Sequence, residues 1–251
     1  SNLSGYTLLS QDAIQTDFQN LFPKHSIESY VLGKLLEYEH AIHNAYQGFQ
    51  FKQANQLVYE CCTELLSSFY CAITKDTLYC DAPQSAKRYR IQVAYHLIIE
   101  KLLRLIYPIL PHTSDEAYQS LYQDPSLCIA LADSFDITVD VSLQDWHDLF
   151  IARHDAQKRL EEYKEKGIDN TLDAGLKLPQ TLERFQSDTC QLADIFGVSR
   201  IQFHDNDTIS IIDLREEPRC ERSWKRDETV ALRSNGMYLS DRDFHVIKEL
   251  L

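Results

Sequence analysis

Glycine and proline are scarce in this 251-residue chain, with 7 of each. Their scarcity disfavours a loop-rich sheet fold and favours long helices. Long apolar runs are also missing. Charged residues interrupt even the hydrophobic stretch "YHLIIEKLLRLIYPIL", so we expect no segment to span a membrane. The chain has no excess of positive charge either. Its formal net charge of −13 argues against a nucleic-acid surface spread over the whole molecule, but it is compatible with a local basic face.

Targeting signals are absent from the start of this sequence, where no basic region precedes an apolar run. We therefore expect no secretory signal peptide. The chain has seven cysteines, an odd number that includes the adjacent pair Cys61 and Cys62. These features predict a protein of the reducing cytoplasm, with most cysteines serving as small core residues.

Catalytic motifs are missing too. The sequence has no glycine-rich phosphate loop, no nucleophile elbow and no pair of histidines spaced as in zinc hydrolases. His40 and His43 lie three residues apart and could share one helix face, but no third ligand of similar quality accompanies them. We therefore predict no catalytic site in this chain.

Apolar residues recur at three- and four-residue steps through the first half of the chain, which predicts amphipathic helices. The third of these runs from about Ser85 to Tyr107, where Pro108 and Pro111 end it. The stretch "TSDE" after it predicts a capping box with Thr113 as the N-cap. Long helices with short connections are typical of an antiparallel bundle. We assign the bundle to residues 26–124, after an irregular lead at 1–25. A generic helical domain remains an alternative.

The pattern changes after residue 124. A helix capped near Ser142 and ended by Gly167 is followed by the short runs "AGLKLP", "SRIQFHD" and "TISIIDL", around a further helix at 182–196. These runs predict a small sheet covered by helices, and hence a small α+β subdomain at residues 125–217. A turn near Pro218 separates it from a C-terminal module at 218–251.

Basic residues form three groups that are candidates for binding RNA. The most C-terminal group surrounds Trp224, and an aromatic ring among guanidinium groups suits stacking on unpaired bases. The ordinary alternatives are a solvated basic face for each group and a core position for Trp224. The groups are Lys87, Arg88, Arg90 and Arg104 on the third helix, Lys158 and Arg159 on the helix after Ser142, and Arg219, Arg222, Lys225 and Arg226 beside Trp224.

Two long stretches carry a resemblance to a known family. "FKQANQLVYECCTELLSSFYCAITKDTLYC" and "AYHLIIEKLLRLIYPILPHTSDEAYQSL" resemble the anticodon-binding helical bundle of class I aminoacyl-tRNA synthetases. Within them, "SSFYCAITKDTLY" and "PILPHTSDEAY" resemble the isoleucyl members. The segment "WHDLFIARHDAQKRLEEYKEKGIDNTLDAGLKL" is similar to the part that follows the bundle in bacterial isoleucyl-tRNA synthetases. The bundle alone leaves valyl and leucyl relatives open, and the terminal module favours isoleucyl.

This resemblance implies a mainly α fold and a tRNA-reading C-terminal part of a larger enzyme. The HIGH and KMSKS boxes of class I synthetases are absent from the sequence, so we expect the chain to bind tRNA without catalysis. The full-length form would use ATP and Mg²⁺ to attach isoleucine to tRNA(Ile). The implied partners are the anticodon stem-loop of that tRNA and the catalytic and editing domains of the same chain. We expect a monomer.

The resemblance also implies a terminal zinc module with a Cys-x-x-Cys-Trp knuckle and a second Cys-x-x-Cys pair. Its four ligand positions fall on Cys220, Ser223, Ser240 and Asp243, so three of the four thiolates are missing. Structural zinc needs four good deprotonated ligands, and serine hydroxyls are poor ones even with His245 nearby. We therefore expect a degenerate zinc-ribbon-like module without zinc, leaning on the preceding segment or mobile.

Two functions of other classes remain open at this point. One is a stand-alone helical module that binds protein partners through its acidic surface. The other is a metal-binding ribbon protein. The first predicts no binding of tRNA at low salt, and the second predicts metal in the purified protein.

Overall fold

A computed structural model describes residues 21–134 and 136–250 of the chain. Most of the predicted N-terminal lead therefore lies outside the described residues. The chain divides into two compact units. The first comprises residues up to Ala72 together with Pro83–Val141, and the second comprises Ile73–Ala82 together with Ser142–Leu251. The four-segment division drawn from the sequence stays a prediction.

The first helix shows how the apolar pattern produces a buried stripe. Helix α1, Ile27–Gln47, begins at the N-cap Ser26, whose side-chain oxygen accepts a hydrogen bond from the Ser29 amide at 3.2 Å. This bond satisfies one of the amides that a helix start leaves without an intrahelical partner. Val31, Leu35 and Ile42 on its inner face are fully buried. The helix ends at Gly48.

Five further helical elements follow in order. Helix α1 packs on the first, the second and the fourth of them, and the last two pack on each other. The second element has π-helical geometry and contains the adjacent cysteines Cys61 and Cys62. The elements are α2 (Phe51–Glu60), a π-helix (Cys61–Tyr70), α3 (Cys71–Cys80), α4 (Ala86–Ile106) and α5 (Pro111–Tyr122).

The capping box predicted with Thr113 as the N-cap is wrong. Helix α5 begins two residues earlier, at Pro111, and its N-cap Leu110 offers no side-chain hydrogen bond. Proline suits the first helical position because its fixed φ is helical and its missing N–H would have no partner there. The proline that the sequence pattern treated as a helix end is therefore a helix start.

The second unit contains a three-stranded sheet. Its central strand β1 pairs in parallel with β2 and antiparallel with β3, in the order β2-β1-β3. All three strands coincide with the alternating runs of the sequence, as predicted. The helix predicted at 182–196 is in fact two segments, a 3-10 helix and then an α-helix. The elements are α6 (Leu143–Lys164), β1 (Ala174–Pro179), a 3-10 helix (Gln180–Asp188), α7 (Thr189–Phe196), β2 (Arg200–His204) and β3 (Ser210–Asp213).

The C-terminal module is small and has a correspondingly small apolar centre. It contains β4 (Ala231–Leu232), β5 (Tyr238–Leu239) and α8 (Asp241–Leu250), with the two strands antiparallel. Its buried cluster consists of Cys220, Val230 and Leu239. The architecture thus confirms a mainly α fold with a small α+β part. Within the described ranges, no helix is both long enough and apolar enough to cross a membrane.

Candidate functional site

Trp224 is the most conspicuous side chain of the C-terminal module. It is 56% exposed, although it belongs to one of the most apolar residue types. Its backbone has φ of 64°, in the left-handed region that a tryptophan rarely adopts. The bond from its amide to the Cys220 carbonyl, at 2.9 Å, closes the turn that imposes this conformation. The turn therefore holds an indole ring outward at some conformational cost.

A guanidinium group lies against this ring. The central carbon of Arg219 is 5.7 Å from the centroid of the Trp224 ring, within cation–π range. Arg219 also donates to both carboxylate oxygens of Asp173, at 2.8 and 3.1 Å. Arg226 binds the same carboxylate at 2.7 Å. Burial acts to raise the pKa of Asp173, but the hydrogen bonds from Arg226 and Arg219 prevail and lower it. The carboxylate thus fixes the cation beside the ring.

Lys225 is not available at the surface. Its side chain is 12% exposed, and its ammonium group contacts Asp76 at 3.1 Å and Asp194 at 2.5 Å. Burial works against its charge, yet these two carboxylates raise its pKa. The Asp76 carboxylate also forms an ion pair with the Arg242 guanidinium group, at 2.7 Å. Burial acts to raise the pKa of Asp76, but the hydrogen bond from Arg242 and the charges of Lys225 and Arg242 lower it to about 2. These residues form a charged anchor of the module.

Three of the four positions that correspond to zinc ligands are joined by hydrogen bonds to one carboxylate. Asp243 is fully buried and accepts hydrogen bonds from the Cys220 thiol at 2.9 Å and the Ser240 hydroxyl at 3.0 Å. Ser223 is half-buried in the turn. Arg222 donates to the Tyr79 carbonyl at 3.1 Å, and its Nε lies 3.9 Å from Asp243. No group of three or more His, Cys, Asp or Glu side chains suited to a metal occurs among the described residues.

The predicted basic group on α4 is largely engaged within its own unit. Arg90 contacts the buried Glu28 at 3.1 Å. Arg104 donates to the carbonyls of Ile129 and Ala132, at 3.1 and 3.0 Å. Lys87 and Arg88 are half-buried in the first turn of α4.

The predicted basic group on α6 is only partly engaged. Arg159 pairs with Asp155 at 2.9 Å, one helical turn away, and Lys158 is exposed. Such exposed pairs contribute little stability. They also leave the side chains able to exchange one anionic partner for another.

Sequence reasoning missed the acidic partners of the module. Asp76, Asp173 and Asp194 decide which cations near Trp224 are engaged, yet Asp76 lies 149 residues from Lys225 in sequence. No local pattern could have predicted that pair. Arg219, Cys220 and Trp224 could be grouped from the sequence, because they lie within six consecutive residues.

Comparison with known proteins adds the family. A sequence model of the family described as "Anticodon-binding domain of tRNA ligase" matches residues 28–174, more than half of the chain. The chain belongs to this family of tRNA-ligase anticodon-binding domains.

The curated relatives are isoleucine–tRNA ligases. The chain is 29% identical over 95% of its length to an isoleucine–tRNA ligase of Streptococcus agalactiae, and 31% identical over 80% to that of Petrotoga mobilis. Another relative is the isoleucine–tRNA ligase of Fervidobacterium nodosum, at 27% identity over 83%. The predicted resemblance to isoleucyl-tRNA synthetases is confirmed. The chain spans about a quarter of the length of these relatives, 27% of the first and 24% of the other two.

Proposed function

We propose that this chain is the tRNA-binding C-terminal part of an isoleucine–tRNA ligase and that it binds the anticodon stem-loop of tRNA(Ile). The observation that carries the proposal is the match of residues 28–174 to the anticodon-binding family. In the whole enzyme, catalytic and editing domains would precede it, and ATP with Mg²⁺ would drive the attachment of isoleucine. The chain itself would act as a monomer. We place the protein in the reducing cytoplasm, because all six cysteines whose side chains the structure describes are free.

Within this function, we assign base stacking to Trp224. Its exposed ring and the adjacent Arg219 offer an aromatic surface beside a cation, which suits an unpaired base. The basic group on α6 would contact phosphates, which position RNA without specifying its sequence. Arg222 would do so in competition with the Tyr79 carbonyl to which it donates. Lys225, Arg226, Arg90 and Arg104 stay candidates, but RNA would have to compete with their carboxylate and carbonyl partners.

The test measures binding of the 251-residue chain to the isoleucine anticodon stem-loop over a salt series. Replacing Trp224→Ala should weaken binding by about 10-fold, since a stacked aromatic contributes ~1–3 kcal/mol. Trp224→Phe should retain most of the affinity. The matched control is Tyr238→Ala, which removes another exposed ring of the same module and should change little.

A second variant tests the phosphate contacts. Lys158→Ala should reduce the salt dependence of binding by about one counterion, with equal losses for matched and unrelated stem-loops. Lys177→Ala, which removes an exposed lysine of β1 outside the predicted groups, serves as control. Equal affinity of wild type and Trp224→Ala would contradict the stacking role of Trp224 but not the proposed binding of tRNA. Absence of RNA binding at low salt would overturn the proposed function and favour a module that binds proteins.

A further inference from the structure

The terminal module departs from the zinc module that its resemblance implies. A tetrahedral structural zinc site needs four ligands such as thiolates or imidazoles. Here the corresponding side chains are one thiol, two hydroxyls and one carboxylate. The buried members of this set are bonded to each other: the Cys220 thiol and the Ser240 hydroxyl both donate to one carboxylate oxygen of Asp243. The residues do not fit zinc.

We propose that the module (residues 218–250) is a metal-independent fold in which the Asp243 carboxylate takes the structural place of the zinc ion. A zinc ion joins two knuckles by binding side chains from both. Asp243 does the same with hydrogen bonds, because Cys220 lies in the first knuckle while Ser240 and Asp243 belong to the second. The Asp243 carboxylate is negative whereas a zinc ion is positive, so the side chains around the carboxylate must supply positive charge.

The surroundings of Asp243 meet that requirement. Arg242 contacts it at 3.3 Å, and Arg222 approaches it at 3.9 Å. Ser240 also caps helix α8, because its oxygen accepts from the Asp243 amide at 3.2 Å. A buried carboxylate with hydrogen-bond donors and nearby cations is tolerated, whereas an uncompensated one is not. The arrangement therefore supplies both the connection and the counter-charge.

Ion pairs with the rest of the second unit supply the remaining support. A module of this size rarely folds on its apolar core alone. Arg242 reaches Asp76 at 2.7 Å and Asp81 at 3.3 Å, and Lys225 bridges Asp76 and Asp194. Arg242 thus contacts the central carboxylate and the external anchor with one guanidinium group. The expected leaning on neighbouring chain extends beyond the preceding segment to residues of α3.

The first experiment compares thermal unfolding of the 251-residue chain with and without excess chelator, together with its zinc content. We expect less than one zinc per ten chains and an unchanged Tm. Asp243→Asn, which removes the charge at constant shape, should lower the Tm by ~5 °C or more. Asp241→Asn, on the same helix but 59% exposed, is the matched control and should shift it far less. One zinc per chain with a chelator-sensitive Tm would overturn the proposal, as would equal shifts for the two variants.

A second variant keeps the proposal testable if Asp243→Asn fails to fold. Ser223→Cys, Ser240→Cys and Asp243→Cys are combined, which restores four thiols with Cys220. If Asp243 occupies the place of the metal, this variant should bind one zinc and lose its terminal fold when chelator is added. Folding of the triple variant without zinc would show that the carboxylate is dispensable. Failure to fold with zinc present would show that the positions do not coincide. Either result would contradict the proposal.

Discussion

The helical bundle of the first unit and the C-terminal module of the second unit are stabilised by different kinds of contact. Along α1, residues such as Val31, Leu35 and Ile42 fill an apolar interior. Among its described residues, the module buries the apolar cluster Cys220, Val230 and Leu239 together with Val246, and its other buried members include Asp243 and Ser240. Apolar burial scales with area and needs many residues, whereas directional bonds can organise a few. The smaller the fold, the more its stability depends on individual polar contacts.

The largest expected effect tests the bundle side of this comparison. Leu35→Ala leaves a cavity in the centre of the first unit and should lower the free energy of unfolding by about 4 kcal/mol. Leu131→Ala in the same unit removes a leucine that is 87% exposed, and its effect should stay below about 0.5 kcal/mol. Urea denaturation followed by circular dichroism measures both. Similar losses for the two variants would mean that burial does not govern the bundle.

A smaller effect is the response of the bundle to acid. His96 is buried and hydrogen-bonded to Tyr122, which donates to Glu100. Burial lowers the pKa of His96 to about 4. The unfolded chain binds this proton near the ordinary pKa of 6.5, so stability is complete above that value and falls as the pH approaches 4.

The expected loss between pH 7 and 4 is about 3 kcal/mol. Burial raises the pKa of Glu100, which opposes this trend, so the informative quantity is a difference between two proteins. His96→Gln should be less acid-sensitive than the wild type over this range. Parallel pH profiles for the two would contradict the assignment.

The smallest effect concerns the charged anchor of the module and should occur at lower pH. The pKa of Asp76 is lowered to about 2, so its contribution is complete above the ordinary value of 3.8 and is lost as the pH falls through 2. The loss between pH 5 and 2 should be about 2 kcal/mol.

Fluorescence of the buried Trp146 follows unfolding of the second unit in this range. Asp76→Asn should lack this part of the pH dependence and be less stable at neutral pH, because Lys225 and Arg242 lose a shared carboxylate. If the stability of Asp76→Asn depended on pH between 5 and 2 as that of the wild type does, Asp76 would not contribute to the charged anchor.

Local patterns predicted the helices and strands well, for a physical reason. Periodicity reports which face of a helix or strand is buried, and Leu35 and Ile42 on α1 follow it directly. Ser142, predicted as the cap of the helix after residue 124, does accept the Asp145 amide. Thr113 misled because a proline at the first position can start a helix as well as end one.

The site was less predictable, because its charges are balanced over long sequence separations. Whether Lys225 is an exposed cation or a buried anchor depends on Asp76 and Asp194. Only the fold brings them together. The exposure of Trp224 was likewise open, since a core position fitted the sequence equally well.

The second unit is discontinuous in sequence, and this fixes the order in which the protein can be completed during synthesis. Residues Ile73–Ala82 emerge from the ribosome before Pro83–Val141, but they belong with Ser142–Leu251. The first unit can therefore assemble while Asp76 and Asp81 are still without their cationic partners, which arrive last. Closing such a long loop is entropically costly and slow compared with forming helices. A chain interrupted before residue 218 would lack Lys225 and Arg242, and would leave the Asp76 carboxylate without both of these cationic partners.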